Sequence, residues 1–292
     1  MILVADSGST KTDWLLIDAS TQSNSTFLDK EDEKQEIINT QGINPVHQSH
    51  YQVLQVLQSE LLPQIDVSQI HDVYFYGSGV RPELEGNMTE MLREVFPMAG
   101  TIESHSDLLG AARALCGHNE GIASILGTGA NSCLYDGKRI VKNTPALGYI
   151  IGDEGSGAVL GKRFLHHLYS GILSKEIVAL FEKETGLALP EIINRVYRQP
   201  LANRFLASLS EFIHRHLDLY DVRQMVVDNF VDFLTTHIAP YKRDDLPLSF
   251  VGSIAFYYQD ELREAADAKG FTLGVIEKSP IAGLRRYHTT LM

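Results

Sequence analysis

The chain uses one short pattern twice: an apolar strand, a turn rich in glycine, serine and threonine, and a returning strand. The first copy has strands at residues 2–5 and 14–17 around a turn at residues 6–13. The second copy lies about 120 residues later, with strands at residues 122–126 and 133–135 around a similar turn. This separation is much longer than the period of a short repeat, so the pattern predicts two structurally related halves.

Helices and strands alternate around these hairpins. Apolar residues recur at helical spacing over about 46–63, and a short apolar run at 248–251 is typical of a strand. The alternation predicts an α/β fold with mixed sheets. We expect one lobe at residues 1–112 and a second lobe at residues 113–292, which carries a helical insertion at about 157–241.

The chain is acidic, with 37 Asp and Glu against 25 Lys and Arg and a formal net charge of −12. No stretch gathers the Lys and Arg patch that binding to a nucleic-acid backbone requires, so we expect no nucleic-acid partner. A small anionic ligand is still allowed, since backbone N–H groups bind phosphate without net positive charge. The charged run from Asp29 to Glu36 is typical of a solvated loop, and we assign it no chemistry.

Cys116 and Cys133 are the two cysteines of the chain, and their spacing matches no metal-binding pattern. Two cysteines cannot form a disulfide framework, so we expect a reducing, cytoplasmic compartment. The first residues have no basic segment ahead of an apolar one, and no run approaches about 18 apolar residues. We therefore expect no signal peptide, no membrane-spanning segment and no membrane partner.

Each small-residue turn can be interpreted in two ways. Such a turn exposes consecutive backbone N–H groups and hydroxyls with little steric cover, which is what a phosphate chain requires. Either turn alone is also typical of an ordinary hairpin, but two turns in matching positions favour a nucleotide held between two lobes. Residues 157–163 approach the Walker phosphate-binding pattern, yet they have one residue too few between the glycines and Arg163 after the lysine, which excludes that motif.

Asp107 lies between a serine-rich turn, residues 104–106, and a helix predicted from Leu108. Two interpretations of this acid stay open. An acid at the N-cap or in the first turn would be stabilised by the helix dipole. A general base would accept the proton of an attacking hydroxyl during phosphoryl transfer to an alcohol. The local sequence does not decide between them.

Residues 148–157 place Asp153 and Glu154 among four glycines ahead of an apolar helix. Vicinal acids in a glycine loop can accept several hydroxyl hydrogen bonds while the backbone approaches a sugar ring, so this loop predicts a polyol pocket; a capped helix start is the alternative. Gly252 and Ser253 form a strand-to-helix junction, where an adenine ring could pass close to the backbone. Taken alone, such a junction is routine.

In these features the chain resembles the N-acetylglucosamine kinase family, in the BadF/BadG-type ATPase group of the sugar kinase, actin and heat-shock chaperone superfamily. The resemblance runs nearly end to end, and Gly152-Asp153-Glu154-Gly155-Ser156 is its most specific segment. It implies a two-lobed ribonuclease H-like fold, or actin-like ATPase fold, with ATP and Mg²⁺ in a cleft between two related domains. It also implies phosphorylation of the 6-hydroxyl of an amino sugar, with N-acetylglucosamine as the first candidate substrate.

The resemblance further implies roles for individual residues. Asp107 is similar to the family's base, and Asp6 is similar to the acid that orients hydrated Mg²⁺. The residues similar to the sugar contacts are Asn44, Ser78, Thr128, Asp153 and Glu154. The residues similar to the nucleotide contacts are Ser7, Gly8, Ser9, Thr10, Lys11, Gly127, Thr128, Gly129, Asn131, Gly252 and Ser253.

Several alternatives stay open. Mammalian-type members have a tryptophan in the segment leading into the Asp-Glu loop, where this chain has Leu147. Glucosamine or another hexose derivative is therefore an alternative acceptor. Two alternatives lie within the same superfamily: a sugar sensor without transfer activity, and an ATPase that activates a dehydratase through an iron–sulfur cluster, which would use Cys116 and Cys133. The oligomeric state, including a homodimer, is also open.

Overall fold

The computed structural model describes residues 1–8, 10–18 and 37–290. Ser9 and the charged run from Asp29 to Glu36 lie outside these residues. The strands are β1 Ile2–Ser7, β2 Lys11–Ile17, β3 Ile37–Gln41, β4 Asp72–Gly77, β5 Thr101–Ser106, β6 Glu120–Leu126, β7 Ala130–Asp136, β8 Ile140–Thr144, β9 Leu248–Val251 and β10 Leu273–Glu277. The α-helices are α1 His50–Val56, α2 Pro82–Val95, α3 Asp107–Cys116, α4 Gly157–Tyr169, α5 Lys175–Thr185, α6 Leu189–Tyr197, α7 Ala202–Ser208, α8 Ser210–Arg215, α9 Tyr220–Phe233, α10 Ser253–Tyr257, α11 Gln259–Lys269 and α12 Ile281–Thr290. Within the described ranges, no helix is both long and apolar enough to cross a membrane.

Contacts within the chain divide it into two units. Unit 1 contains the described residues of 1–118 and 280–290, and unit 2 contains residues 119–279. The predicted boundary between the lobes, at residue 112, lies inside α3, which continues without a break to Cys116. The two units divide after the end of this helix, at residue 118. The sequence analysis groups α12 with the second lobe, whereas its contacts put it in unit 1, where it packs on α3.

Unit 1 is built on a mixed sheet whose described strands have the order β3-β2-β1-β4-β5. β1 pairs antiparallel with β2 and parallel with β4, and β4 pairs parallel with β5. Leu3, Trp14 and Phe75 belong to a buried apolar cluster that also contains side chains of α1 and α2. Since β1, β4 and β5 run in the same direction, the residues that follow them meet at one edge of the sheet.

Unit 2 repeats this plan. Its strands have the order β8-β7-β6-β9-β10, and each pairing has the same direction as its counterpart in unit 1. The helices between β8 and β9 contribute Phe164, Phe181 and Phe230 to a second apolar core. The predicted α/β class with mixed sheets is therefore confirmed. Both hairpin turns are shorter than predicted, since only residues 8–10 and 127–129 separate the paired strands.

The first helix begins later than its apolar pattern predicts. α1 starts at His50, after Ser49 as N-cap, and not at residue 46. The hydroxyl of Ser49 accepts from the N–H of Gln52, and the side chain of Gln52 accepts from the N–H of Ser49. This capping box satisfies two of the N–H groups at the helix start, so it sets the first residue of the helix. Residues 57–61 then continue as a π-helical turn.

A buried polar chain attaches α12 to the sheet of unit 1. A guanidinium nitrogen of Arg113 donates to the Tyr76 hydroxyl at 2.7 Å, and that hydroxyl lies 2.9 Å from Nε2 of His288. Burial lowers the pKa of His288 to about 4. The imidazole is therefore neutral at pH 7 and can accept the Tyr76 proton at Nε2, while the Tyr76 hydroxyl accepts from Arg113.

Close packing of α12 on α3 predicts that Gly283→Ala destabilises the protein. A Cβ at Gly283 would lie 2.4 Å from the carbonyl oxygen of Ala114, so the two helices would have to separate. We expect a loss of about 1–3 kcal/mol in the free energy of unfolding, measured by chemical denaturation.

The matched control is Gly86→Ala in α2, where an added Cβ meets no atom within 4 Å. Alanine is the better helix former, so this variant should gain about 0.5–1 kcal/mol. Equal responses of the two variants would contradict the packing of α12 on α3.

Candidate active site

The first hairpin turn of unit 1 is closed by its own backbone. The N–H of Gly8 donates to the carbonyl of Lys11 at 3.0 Å, while Gly8 and Thr10 are exposed. The ammonium of Lys11 binds both carboxylate oxygens of Asp13, at 2.9 and 3.0 Å.

Ser7 is the last residue of β1, and its buried hydroxyl is hydrogen-bonded to Thr12 and to the backbone of Ile43. Of the predicted nucleotide contacts in this turn, Gly8, Thr10 and Lys11 thus face solvent, and Ser9 lies outside the described residues.

Two carboxylates with perturbed acidity lie at the carboxyl edge of this sheet. Burial, together with the nearby charges of Asp107 and Asp13, raises the pKa of Asp6 to about 7. Burial also raises the pKa of Asp107. A carboxylate pair of this kind is costly to ionise, and such groups concentrate at functional sites.

Asp107 is the first residue of α3, and the predicted serine-rich turn before it is the end of β5. Ser106 is the N-cap, since its hydroxyl accepts from the N–H of Leu109. Oδ1 of Asp107 accepts from the N–H of Leu108 at 2.8 Å. Asp107 is thus a first-turn acid and not the cap. The position is compatible with both interpretations left open by the sequence.

Ser78 and Asn44 lie near these acids in unit 1. The N–H of Ser78 donates to the carbonyl of Ser7 at 2.8 Å, which joins the ends of β4 and β1. Oδ1 of Asn44 accepts from the N–H of Val46 at 2.9 Å, and its side chain lies against Gly79. The structure therefore brings these two predicted sugar contacts to the edge of the sheet that carries Asp6.

In unit 2, the second hairpin turn rests on the start of α4. The carbonyls of Gly127 and Thr128 accept from the N–H groups of Gly157 and Ala158, at 2.8 and 3.1 Å. Gly252 lies beside this turn with φ +123°, and a Cβ there would lie 2.3 Å from the carbonyl oxygen of Leu126. Only glycine allows this approach of β9 to β6, which explains the residue at the predicted adenosine junction.

The Gly-Asp-Glu-Gly loop adjoins the same turn. Asp153 is buried with a left-handed backbone, φ 59°, and its Oδ1 accepts from the N–H of Gly148 at 3.1 Å. A Cβ at Gly129 would lie 3.1 Å from its Oδ2. Burial raises the pKa of Asp153.

Asn131 lies in β7, where its side-chain oxygen accepts from Asn143. Unit 2 thus brings Gly127, Thr128, Gly129, Asp153 and Gly252 together.

The sequence analysis missed two features of unit 2. Nε2 of His237 lies 2.9 Å from a carboxylate oxygen of Glu154, although the two residues are 83 positions apart. A cavity of about 460 Å³ opens next to Ser253 and is lined by Glu211, His214 and Tyr257. Its volume is within the range of small-molecule sites. No local sequence signal connects α8, which supplies Glu211 and His214, to the Gly252-Ser253 junction.

The donor groups fit Mg²⁺ held mainly through water and phosphate. Among residues 1–8, 10–18 and 37–290, no three His, Cys, Asp or Glu side chains are grouped closely enough to hold a metal ion. Mg²⁺ is often bound by one or two carboxylates, with water and substrate phosphates as the other ligands. Asp6, whose negative charge is disfavoured by Asp107 and Asp13, would be stabilised by a nearby cation.

The comparisons with known proteins agree with this geometry. The chain matches no protein-family model and no curated protein sequence. Its structure is similar to that of a "Putative N-acetylglucosamine Kinase" from Porphyromonas gingivalis, with 45% identity, 99% of both chains covered and a TM-score of 0.91. A second protein described in the same words, from Chromobacterium violaceum, is 18% identical over 98% of both chains with a TM-score of 0.68.

A more distant similarity supports the fold alone. The ROK hexokinase from Thermus thermophilus is 11% identical, with a TM-score of 0.51 over 100% of this chain and 99% of that chain. With the repeated strand order of the two units, this similarity confirms the predicted two-lobed ribonuclease H-like fold. Given the 45% identity over nearly its full length, the chain belongs to the N-acetylglucosamine kinase family.

Proposed function

We propose that this protein is an ATP-dependent kinase that phosphorylates the 6-hydroxyl of an amino sugar, with N-acetylglucosamine as the first candidate. The observation that carries the proposal is the pair of poorly solvated carboxylates, Asp6 and Asp107, at the carboxyl edge of the unit 1 sheet. The similarity to a protein described as an N-acetylglucosamine kinase supports it. Glucosamine and other hexose derivatives are the alternative acceptors.

Asp107 is the proposed general base. Its Oδ1 is engaged by the N–H of Leu108, and Oδ2 receives the proton of the sugar hydroxyl. As that proton leaves, the sugar oxygen forms a bond to the γ-phosphorus of ATP, and the bond from this phosphorus to the bridging oxygen breaks to release ADP. Burial raises the pKa of Asp107, which makes the carboxylate a stronger base once it is ionised.

Asp6 is proposed to orient the metal ion through water. When bound, Mg²⁺ supplies positive charge to the phosphate oxygens on which negative charge accumulates. Asp6 lies on β1 and faces Asp13 in the β1–β2 ladder. The Asp6 carboxylate must be ionised for this role, so the pKa of about 7 makes its charge depend on the presence of a cation.

The nucleotide contacts are proposed on both hairpin turns and at the Gly252 junction. The N–H groups of Gly8 and Gly127 donate to the carbonyls of Lys11 and Gly129, so these two residues shape the turns. The proposed phosphate contacts on the turns are Ser9, Thr10, Lys11, Gly129 and Asn131. Ser7 shapes the first turn through its buried hydroxyl. The cavity beside Gly252 and Ser253 is the proposed site of the nucleoside, where the ring of Tyr257 offers an apolar face.

The sugar contacts are proposed to be Asn44, Ser78, Thr128, Asp153 and Glu154. The Asp153 carboxylate accepts from the backbone N–H groups of Gly148 and Ala130, and Oε2 of Glu154 is bound to His237. Oε1 of Glu154 and the remaining lone pairs of the Asp153 carboxylate would accept hydroxyl hydrogen bonds from the sugar. Leu147, at the position of the family's tryptophan, is exposed and leaves recognition of an acetamide group to be tested.

One alternative is disfavoured by the cysteines. Iron–sulfur clusters are bound by thiolates. Burial raises the pKa of Cys116 to about 11, and Cys133 is buried within β7. Both features favour structural thiols over cluster ligands, and so disfavour a dehydratase-activating ATPase. The absence of nucleic-acid and membrane partners, the cytoplasmic location and a homodimer stay predictions.

Replacement of the proposed base tests the mechanism. Asp107→Asn keeps the size of the side chain and removes its ability to accept a proton, so kcat should fall by about 10² to 10⁴. The Kd values for ATP and sugar should change little. Sugar-dependent ADP release and calorimetric titration measure the two effects. Asp136→Asn, at the exposed end of β7 in unit 2, is the control and should retain full activity. A fully active Asp107→Asn would rule out Asp107 as the base.

A panel of acceptors tests the substrate. Purified protein with ATP and Mg²⁺ should release ADP with N-acetylglucosamine, and the product should gain the mass of one phosphoryl group. Glucosamine, N-acetylmuramic acid and glucose are the comparisons. A higher kcat/KM for glucosamine would replace the first candidate by the alternative, and binding of the sugar without ADP release would favour the sensor.

The acidity of Asp6 predicts a gain in stability on mutation. Its pKa of about 7 in the folded state lies above its ordinary value of 3.8, so the folded protein holds a proton that the unfolded chain has lost. The contribution of Asp6 to the free energy of unfolding therefore falls as the pH rises from about 4 to 7. At pH 8 the full cost of ionising the buried carboxyl group is present. Without nucleotide and Mg²⁺, Asp6→Asn should be more stable at pH 8 by about 1–3 kcal/mol.

Thermal unfolding at pH 4.5 and pH 8 measures this effect, and the gain should shrink at the lower pH. Asp136→Asn is again the control, because hydrogen bonds from the backbone of Arg139 and Lys138 lower the pKa of Asp136. That variant should gain no stability at pH 8. A loss of stability in Asp6→Asn at pH 8 would contradict the proposed burial of Asp6.

A further inference from the structure

His237 is a buried histidine in unit 2 that the sequence analysis did not select. It lies in the π-helical turn Leu234–Ile238 that follows α9. Nε2 of its ring lies 2.9 Å from Oε2 of Glu154, and only 3% of the residue is exposed. π-helical turns are rare and occur frequently at functional sites.

The protonation of the ring follows from its neighbours. An ionised Glu154 can only accept, so Nε2 of His237 must donate the proton of this hydrogen bond. Nδ1 is buried and has no hydrogen-bond partner in the described part of the chain. The ring therefore makes a single polar contact, and that contact is with Glu154.

The loop that carries Glu154 is strained and held from several sides. Asp153 has a left-handed backbone, which is costly for a residue other than glycine and persists only when the surroundings enforce it. A Cβ at Gly155 would lie 2.7 Å from Cβ of Phe233, so the loop packs directly on α9. The ring of Phe233 stacks on that of His237, with centroids 5.1 Å apart. Phe233 and His237, one helical turn apart, thus contact consecutive residues of the loop.

The backbone of the π-helical turn is anchored to the sheet. The carbonyl of His237 accepts from the Thr144 hydroxyl at 2.9 Å. The Tyr241 hydroxyl lies 2.7 Å from the Ser132 hydroxyl and accepts from the N–H of Thr144. β7 and β8 therefore fix the position from which His237 reaches Glu154.

We infer that His237 is a positioning residue for substrate recognition: it fixes Oε2 of Glu154 so that Oε1, with the neighbouring Asp153, faces the hydroxyls of the sugar. The inference rests on the proposed function of this loop. It assigns to His237 no contact with substrate and no proton transfer to the reacting atoms. Its consequence is confined to the sugar, because the nucleotide contacts are proposed on other segments.

Kinetics of three single variants and one double variant test the inference. His237→Leu removes the hydrogen bond to a charged acceptor, so the KM for the sugar should rise by about 10- to 100-fold. The KM for ATP should change by less than about 2-fold. His237→Gln keeps an N–H donor near the Nε2 position and should restore the KM for the sugar to within about 5-fold of the wild type.

The double variant separates a specific contact from loss of structure. In the background of Glu154→Gln, the further change His237→Leu should raise the KM for the sugar by less than about 3-fold, because the contact between the two side chains is already weakened. Thermal unfolding of each variant monitors the fold. Additive effects of the two changes, or equal increases in the KM for sugar and for ATP, would overturn the inference.

NMR of the histidine ring nitrogens gives a test without catalysis. In the wild type at neutral pH, His237 should carry its proton on Nε2, and its ring nitrogen shifts should move in Glu154→Gln. A proton on Nδ1 alone would overturn the inference. If the wild type releases no ADP with any sugar, the proposed function fails, whereas this measurement still decides whether His237 holds Glu154.

Discussion

Parallel pairing of a hairpin's first strand with a later strand is the constraint on which each unit depends. β1 pairs with β4, and β6 pairs with β9, so the segments that leave these strands meet at one edge of each sheet. In unit 1 this edge collects Asp6 and Ser78. In unit 2 it collects the Gly127 turn and Gly252, whose missing Cβ allows the two backbones to touch.

The groups at these edges are held in states that folding by itself disfavours. Asp6 and Asp107 lie where burial raises the pKa of both carboxylates, and Asp153 has a backbone conformation that suits glycine. The apolar cores of the two units, built on residues such as Trp14 and Phe230, offset these costs. This division of roles is typical of proteins in which a stable scaffold holds a reactive site.

The Gly-Asp-Glu-Gly loop shows how an acid can be both fixed and available. The Asp153 carboxylate accepts from the backbone N–H groups of Gly148 and Ala130, and Glu154 gives one oxygen to His237. A carboxylate bound at one oxygen keeps its second oxygen in a defined direction, since the group is planar and rigid. A side chain oriented in this way loses less of its own conformational entropy when it binds a ligand.

The sequence by itself determined the hairpins, the α/β class and the candidate loops, because the conformation of a turn or a glycine junction depends on the backbone preferences of residues adjacent in the chain. It did not indicate β8, an edge strand with mostly exposed residues and no apolar alternation. It grouped α12 with the second half, whereas the contacts of Gly283 with Ala114 join this helix to α3, about 170 positions earlier in the chain. Only the tertiary structure decided that His237 meets Glu154 and that Asp6 and Asp107 share one poorly solvated edge, because burial and partner choice depend on residues far away in the chain.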